Sequence, residues 1–218
     1  MRRLIAVILF LTASAFSFGQ SPQTFDSVYS QVIAKYGGAS LDVTNARLAG
    51  TMTYPGQAAL PFTLTLQQRS LRLEVQKPTE LFTAIREDRR EQGIHGSQRD
   101  FPDQLPLYSS AFNMAPIFAL LHFKADARFT RSLVSAPDGS LGLQLVDGVP
   151  PGAKEPPFAQ PKTIITFWLD AAYQIQSITY KSDRNPALSV TYKFTYPGLS
   201  SPFLQPASVV YFFGERLI

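Results

Sequence analysis

No cysteine occurs in the 218 residues. That excludes disulfides, thiolate metal sites and attachment of a lipid through an N-terminal cysteine. Only two histidines are present, His95 and His122. They stand far apart, without the close spacing of a metal-ligand pair, and His122 falls in an apolar stretch where a histidine reads as a hydrogen-bonded core residue. No Gly-x-Ser-x-Gly elbow occurs, so a serine-hydrolase triad has no evident nucleophile. The nearest lookalike, Gly139-Ser140-Leu141-Gly142, reads as a hairpin turn entering a strand. Gly37-Gly38 reads as a helix stop and not as a phosphate cradle. No spacing selects a pair of carboxylates for acid–base work. The expectation is a protein that is not an enzyme, with no catalytic residues, no cofactor and no metal.

Charge is also scarce. Charged residues make up 17% of the chain against 45% hydrophobic, with a formal net charge of +4. Two of those charges, Arg2 and Arg3, sit at the extreme N-terminus, and without them the balance is 4 − 2 = +2. That is too dilute for nucleic acid, which calls for a concentrated basic surface. The densest cluster, Arg86-Glu87-Asp88-Arg89-Arg90-Glu91, is mixed in sign and reads as a solvated turn between strands.

No apolar run reaches the roughly 20 residues that span a bilayer. The apolar stretch Leu4–Leu11 instead follows Arg2 and Arg3 and leads to small residues. Two cleavage points fit, Ala13-Ser14-Ala15 before Phe16 and Ser17-Phe18-Gly19 before Gln20. This is the pattern of a secretory signal peptide. The expected organisation is a signal over residues 1–19 and one domain over 20–218, exported to the periplasm, with secretion as the alternative.

The expected mature chain is patterned for β structure. One amphipathic helix comes first: Phe25, Val28, Tyr29, Val32, Ile33 and Tyr36 recur at helical spacing, with Thr24 placed to cap it. The period then changes to two through Leu48–Tyr54, Phe62–Leu66, Leu71–Val75 and Leu81–Arg86. Asn113–Phe123 is apolar almost all round and predicts a short buried helix, with Asn113 as its cap and Pro116 in its first turn. Strands resume at Ala127–Ser135, Leu141–Leu145, Thr163–Asp170, Tyr173–Lys181, Leu188–Tyr196 and Ser208–Phe213. Between them Asp147–Pro161 holds five prolines and two glycines, the composition of an irregular loop or lid. Alternation without intervening helices argues for antiparallel pairing. A sheet of about ten strands cannot stay flat. The expected fold is therefore mainly β with some α: a single strongly curved antiparallel sheet, a half-barrel. An N-terminal helix and the short apolar helix would lie against its concave face.

This order of elements resembles the periplasmic outer-membrane lipoprotein carriers, the LolA/LolB-like family. The local resemblance is carried by Phe62-Thr63-Leu64-Thr65-Leu66-Gln67-Gln68-Arg69-Ser70-Leu71-Arg72-Leu73-Glu74. A second stretch is Ile165-Thr166-Phe167-Trp168-Leu169-Asp170 with Ile175-Gln176-Ser177-Ile178 after it. The resemblance implies outer-membrane lipoprotein sorting: a monomeric carrier of lipid or acylated lipoprotein, with membrane-bound donor and acceptor proteins as further partners. It also implies that Arg69 points to the lipid cavity, whereas strict strand alternation would send Arg69 outward.

An apolar concave surface suits acyl chains, which gain about 0.8 kcal/mol per buried methylene and need few polar contacts. The residues expected to line such a cavity are Phe62, Leu64, Leu66, Arg69, Leu71, Leu73, Ile117, Phe118, Leu121, Tyr192 and Phe194. Two outcomes stay open on sequence alone, an open ligand cavity or a solid core. The competing function is an extracytoplasmic protein-interaction or sensory module on the same half-barrel, reading its partner through edge strands.

Overall fold

A computed structural model of the chain describes residues 23–38, 45–53, 58–67, 70–87, 90–95, 98–100, 113–149, 161–185, 187, 189–196, 206–214 and 216–217. The expected leader and Arg69 lie outside the described residues, as do Phe101–Pro106 and most of the Pro-rich stretch.

Helix α1 spans Phe25–Lys35. Thr24 closes its start by a capping box: its Oγ1 accepts from the Ser27 backbone N–H at 3.2 Å, and the Ser27 hydroxyl accepts from the Thr24 N–H at 2.9 Å. That satisfies two of the donors a helix start leaves free. The apolar stripe buries Phe25, Val28 and Val32, with Tyr36 just past the end.

Six antiparallel strands come next as one meander: β1 Asn45–Met52, β2 Leu60–Gln67, β3 Ser70–Gln76, β4 Leu81–Glu87, β5 Arg90–His95 and β6 Gln98–Asp100. Helix α2, Pro116–Ala125, then interrupts the β structure. Seven more strands form a second meander: β7 Phe129–Ser135, β8 Leu141–Asp147, β9 Thr163–Leu169, β10 Ile175–Ser182, β11 Ser189–Thr195, β12 Ser208–Phe213 and β13 Arg216–Leu217.

The single curved half-barrel is thus overturned. The strands divide into two separate antiparallel sheets, β1 to β6 and β7 to β13, and neither ladder continues into the other. The reason lies between them. β6 is only three residues long, and α2 stands in the chain between it and β7. A large strand set escapes flatness either by curling or by splitting into two sheets, and this chain splits.

Register places the apolar residues of each sheet on one face. In the first sheet Leu64 pairs with Leu73 and Leu66 with Leu71, while Leu73 and Val75 pair with Ala84 and Phe82. In the second, Leu143 pairs with Phe167, Phe167 with Ile178, and Ile178 with Tyr192. These two rows, the α1 stripe and α2 form one continuous apolar core.

Two glycines matter to the second sheet. Gly139, at φ +84°, makes the tight turn between β7 and β8, where the Asp138 carboxylate accepts from the backbone N–H and hydroxyl of Ser140. Gly142 sits under a bulky neighbour: a Cβ there would lie 2.8 Å from Thr166 Cγ2 and 2.9 Å from two atoms of the Trp168 ring. Gly142→Ala should therefore push the indole aside and cost about 1 kcal/mol through overpacking. Trp168 is the only tryptophan, so its fluorescence would shift together with a lowered urea midpoint. Unchanged emission and midpoint would mean that the indole does not rest on Gly142.

Candidate functional site

The expected lining residues come together in the buried apolar cluster. Leu64, Leu66, Leu71, Leu73, Ile117, Phe118, Tyr192 and Phe194 are all buried in the one apolar cluster. Phe62 and Leu121 pack against it half-buried, and Arg69 lies outside the described residues.

At the centre of interest is α2. Its first turn is buried throughout, from Ala115 through Leu120, because no polar residue interrupts the run. The expected cap is not used. Ala115 occupies the N-cap and makes no side-chain cap bond, with Pro116 in the first turn. Asn113 is buried instead, its Oδ1 accepting the Tyr180 hydroxyl at 2.5 Å. This is the reason a polar residue can stand at the edge of the core: its desolvated oxygen has a partner.

The opposite end of α2 is tied more firmly. Phe123 meets Phe129 and Tyr180 edge to face. Lys124 Nζ lies 4.0 Å over the Tyr29 ring of α1, and Arg131 of β7 donates to the Lys124 carbonyl at 2.8 Å. Asp126, the C-cap residue, takes a two-pronged contact from Arg128, Nε to Oδ2 at 3.0 Å and Nη2 to Oδ2 at 2.7 Å, with Nε also reaching Oδ1 at 3.2 Å.

Those hydrogen bonds from Arg128 hold the Asp126 carboxyl below the usual carboxylate range. A carboxylate whose folded pKa is depressed stabilises above its unfolded pKa, about 4, and that stabilisation disappears as pH falls through the lower folded value. Both partners are about a third exposed, 34% and 30%, so solvent limits the contribution to about 0.5 kcal/mol. Wild-type stability, measured by urea unfolding from pH 6 to pH 2, should fall more than that of Asp126→Asn. Equal losses would show that the pair contributes nothing to folding.

The main polar feature of the interior has no counterpart in the sequence pattern. Tyr36 at the end of α1 and Tyr196 just after β11 meet hydroxyl to hydroxyl at 2.7 Å. Tyr36 Oη accepts from the buried Ile175 N–H at 3.1 Å, and Tyr196 donates to the Ile175 carbonyl at 2.7 Å. With the Tyr196 proton committed to that carbonyl, the Tyr36 proton is the one that bridges the two hydroxyls. The need for them is local. β10 pairs with β11 only from Ser177 onward, and its register with β9 shifts between Ile175 and Ser177. Two phenols thus supply Ile175 with the partners that a strand would otherwise give. Burial is the largest effect on both groups; it pushes Tyr36 up to about 12 and raises Tyr196 as well. Aromatic residues at helix and strand ends are the available signal, and periodicity counts them only as apolar.

Comparison of the chain with protein-family models, with curated proteins and with solved structures gives no match. The resemblance to lipoprotein carriers rests on the sequence pattern alone.

Proposed function

We propose that this protein is an exported, non-enzymatic binder of fatty acyl chains, free or attached to a lipoprotein, and that a bound chain takes the place of α2 in the core. The observation that carries this reading is the N-terminal half of α2, Pro116–Leu120, apolar throughout and buried in a core whose two sheets share no ladder among the described residues.

Three physical points support it. The side chains of Ile117, Phe118 and Leu120 hold roughly as many carbons as one acyl chain, so the exchange conserves buried apolar volume. No ladder joins the two sheets among the described residues, so they can separate without loss of ladder hydrogen bonds. The uneven anchoring of α2 gives a direction of movement: its C-terminal end is held by Arg131, Lys124 and the Asp126–Arg128 pair, while its N-cap lacks a side-chain bond. The helix would swing out about its C-terminal end, breaking the Tyr180–Asn113 bond as it goes.

Mass spectrometry of an organic extract from natively purified protein is the test. Acyl lipid in amounts comparable to protein supports the proposal. An extract without lipid, from protein that instead copurifies with a specific partner, would favour an interaction module.

A further inference from the structure

Three elements meet at the C-terminal end of α2, two of them bringing a cation and the third an aromatic ring. Lys124 comes from α2, Arg131 from β7, and the Tyr29 ring of α1 lies beneath Lys124. Arg131 is fixed by its bond to the Lys124 carbonyl, and its charge reaches the Tyr29 hydroxyl, where it opposes the upward push of burial. The neighbouring Arg128 is neutralised by Asp126 at 2.7 Å. Lys124 and Arg131 have no such carboxylate within ion-pair distance among the described residues. Asp26, in the first turn of α1, adds a negative charge that is felt at Tyr29. One role for the two cations is already met, since positive charge suits the carbonyl end of a helix. That role calls for one donor, which Arg131 supplies. It leaves the Lys124 ammonium, which rests on the Tyr29 ring, and the rest of the guanidinium without an anionic partner among the described residues.

We infer that Lys124 and Arg131, with Tyr29 as a platform, form a clasp for an anionic lipid head group, a carboxylate or a phosphate. This rests on the acyl-binding reading and completes it. The clasp stands where α2 is anchored, at the rim of the core that the acyl chain enters, so one ligand would place its tail inside and its charge against Lys124 and Arg131. A guanidinium suits planar bidentate recognition of such an oxyanion, and the ammonium adds a point charge.

The test compares laurate with dodecanol, which share a tail and differ in charge, by calorimetric titration of delipidated full-length protein in low salt. Wild type should bind laurate about tenfold more tightly than dodecanol, the scale of one charge-assisted contact. Lys124→Gln and Arg131→Gln should each erode that preference, read as the ratio of laurate to dodecanol affinity within each variant, so that any change in the hold on α2, which both ligands feel, cancels. Arg131→Lys should retain most of it; a loss equal to that of Arg131→Gln would assign the effect to the helix end and overturn the clasp. Equal wild-type affinity for the two ligands overturns the clasp while leaving acyl binding intact. Binding of neither overturns both. Glycerol phosphate, which has charge without a tail, should compete weakly; competition as strong as that of laurate would overturn the assignment to a lipid head group.

Discussion

Phe118→Asp should lower the unfolding free energy by about 4 kcal/mol, the sum of lost aromatic burial and a carboxylate forced into an apolar surrounding. Phe118 is 7% exposed, in a turn of α2 where every residue from Ala115 to Leu120 is buried. Its neighbours in the core are apolar, so the new charge would find no compensating donor there. For a chain of this size, about 4 kcal/mol corresponds to roughly 8–16 °C in melting temperature. Acyl binding should fail with it, because the same apolar space serves both helix and ligand. Phe118→Leu provides the contrast, expected to cost about 1 kcal/mol through a smaller cavity. A Phe118→Asp protein that melts with wild type would place α2 on the surface and remove the basis of the proposed exchange.

The second large effect belongs to the tyrosine pair. Tyr36→Phe keeps the ring in the core but strips the Ile175 N–H of its acceptor, and Ile175 is fully buried. An orphaned buried donor costs about 2 kcal/mol, or roughly 4–8 °C in melting temperature. Because both hydroxyls serve one residue, Tyr36→Phe and Tyr196→Phe should be non-additive when combined. The pair also predicts an alkaline dependence. A group whose folded pKa is raised stabilises fully below its unfolded value, about 10 for tyrosine, and loses that contribution as pH rises through the folded value. With Tyr36 pushed up to about 12, wild-type stability should fall steeply between about pH 10 and pH 12. The double Phe variant should show a shallower decline. Identical alkaline slopes in the two proteins would mean that the phenols are not held neutral by the fold.

Much of the secondary structure is legible in the sequence, because each element obeys a local period. Thr24 does cap α1, and β12 spans Ser208–Phe213, the bounds expected from sequence. The turn at Asp138–Gly139 is likewise where its residue types place it. β5 is not legible, because Arg90-Glu91-Gln92-Gly93-Ile94-His95 lacks an apolar alternation; pairing with β4 makes it a strand. The division into two sheets is hidden for a deeper reason. In a meander each strand pairs with its sequence neighbours, so a chain of hairpins reads the same whether it continues one sheet or starts another. The apolar helix is the available sign of a break, yet in sequence it reads equally well as the filling of a curve. The site shows the same mixture of success and failure. Alternation gathers Leu64, Leu73 and Tyr192, and the apolar run of α2 gathers Ile117, into one buried cluster. It cannot find Tyr36 with Tyr196, or Lys124 with Arg131, because these partners are brought together by helix placement and not by strand period.

Hydrogen exchange along α2, measured with and without a saturating acyl ligand, tests most directly whether ligand and helix compete for the core. The backbone amides of Ala119–Leu121 should be well protected in the ligand-free protein, since they are hydrogen-bonded within α2 from Ala119 N–H to the Ala115 carbonyl onward and lie in a stretch buried apart from the half-exposed Leu121. With laurate bound, their exchange should accelerate at least about tenfold while the amides of β8, β9 and β10 keep their protection. Unchanged or increased protection of Ala119–Leu121 in the saturated complex would contradict displacement and leave α2 as a permanent part of a solid core.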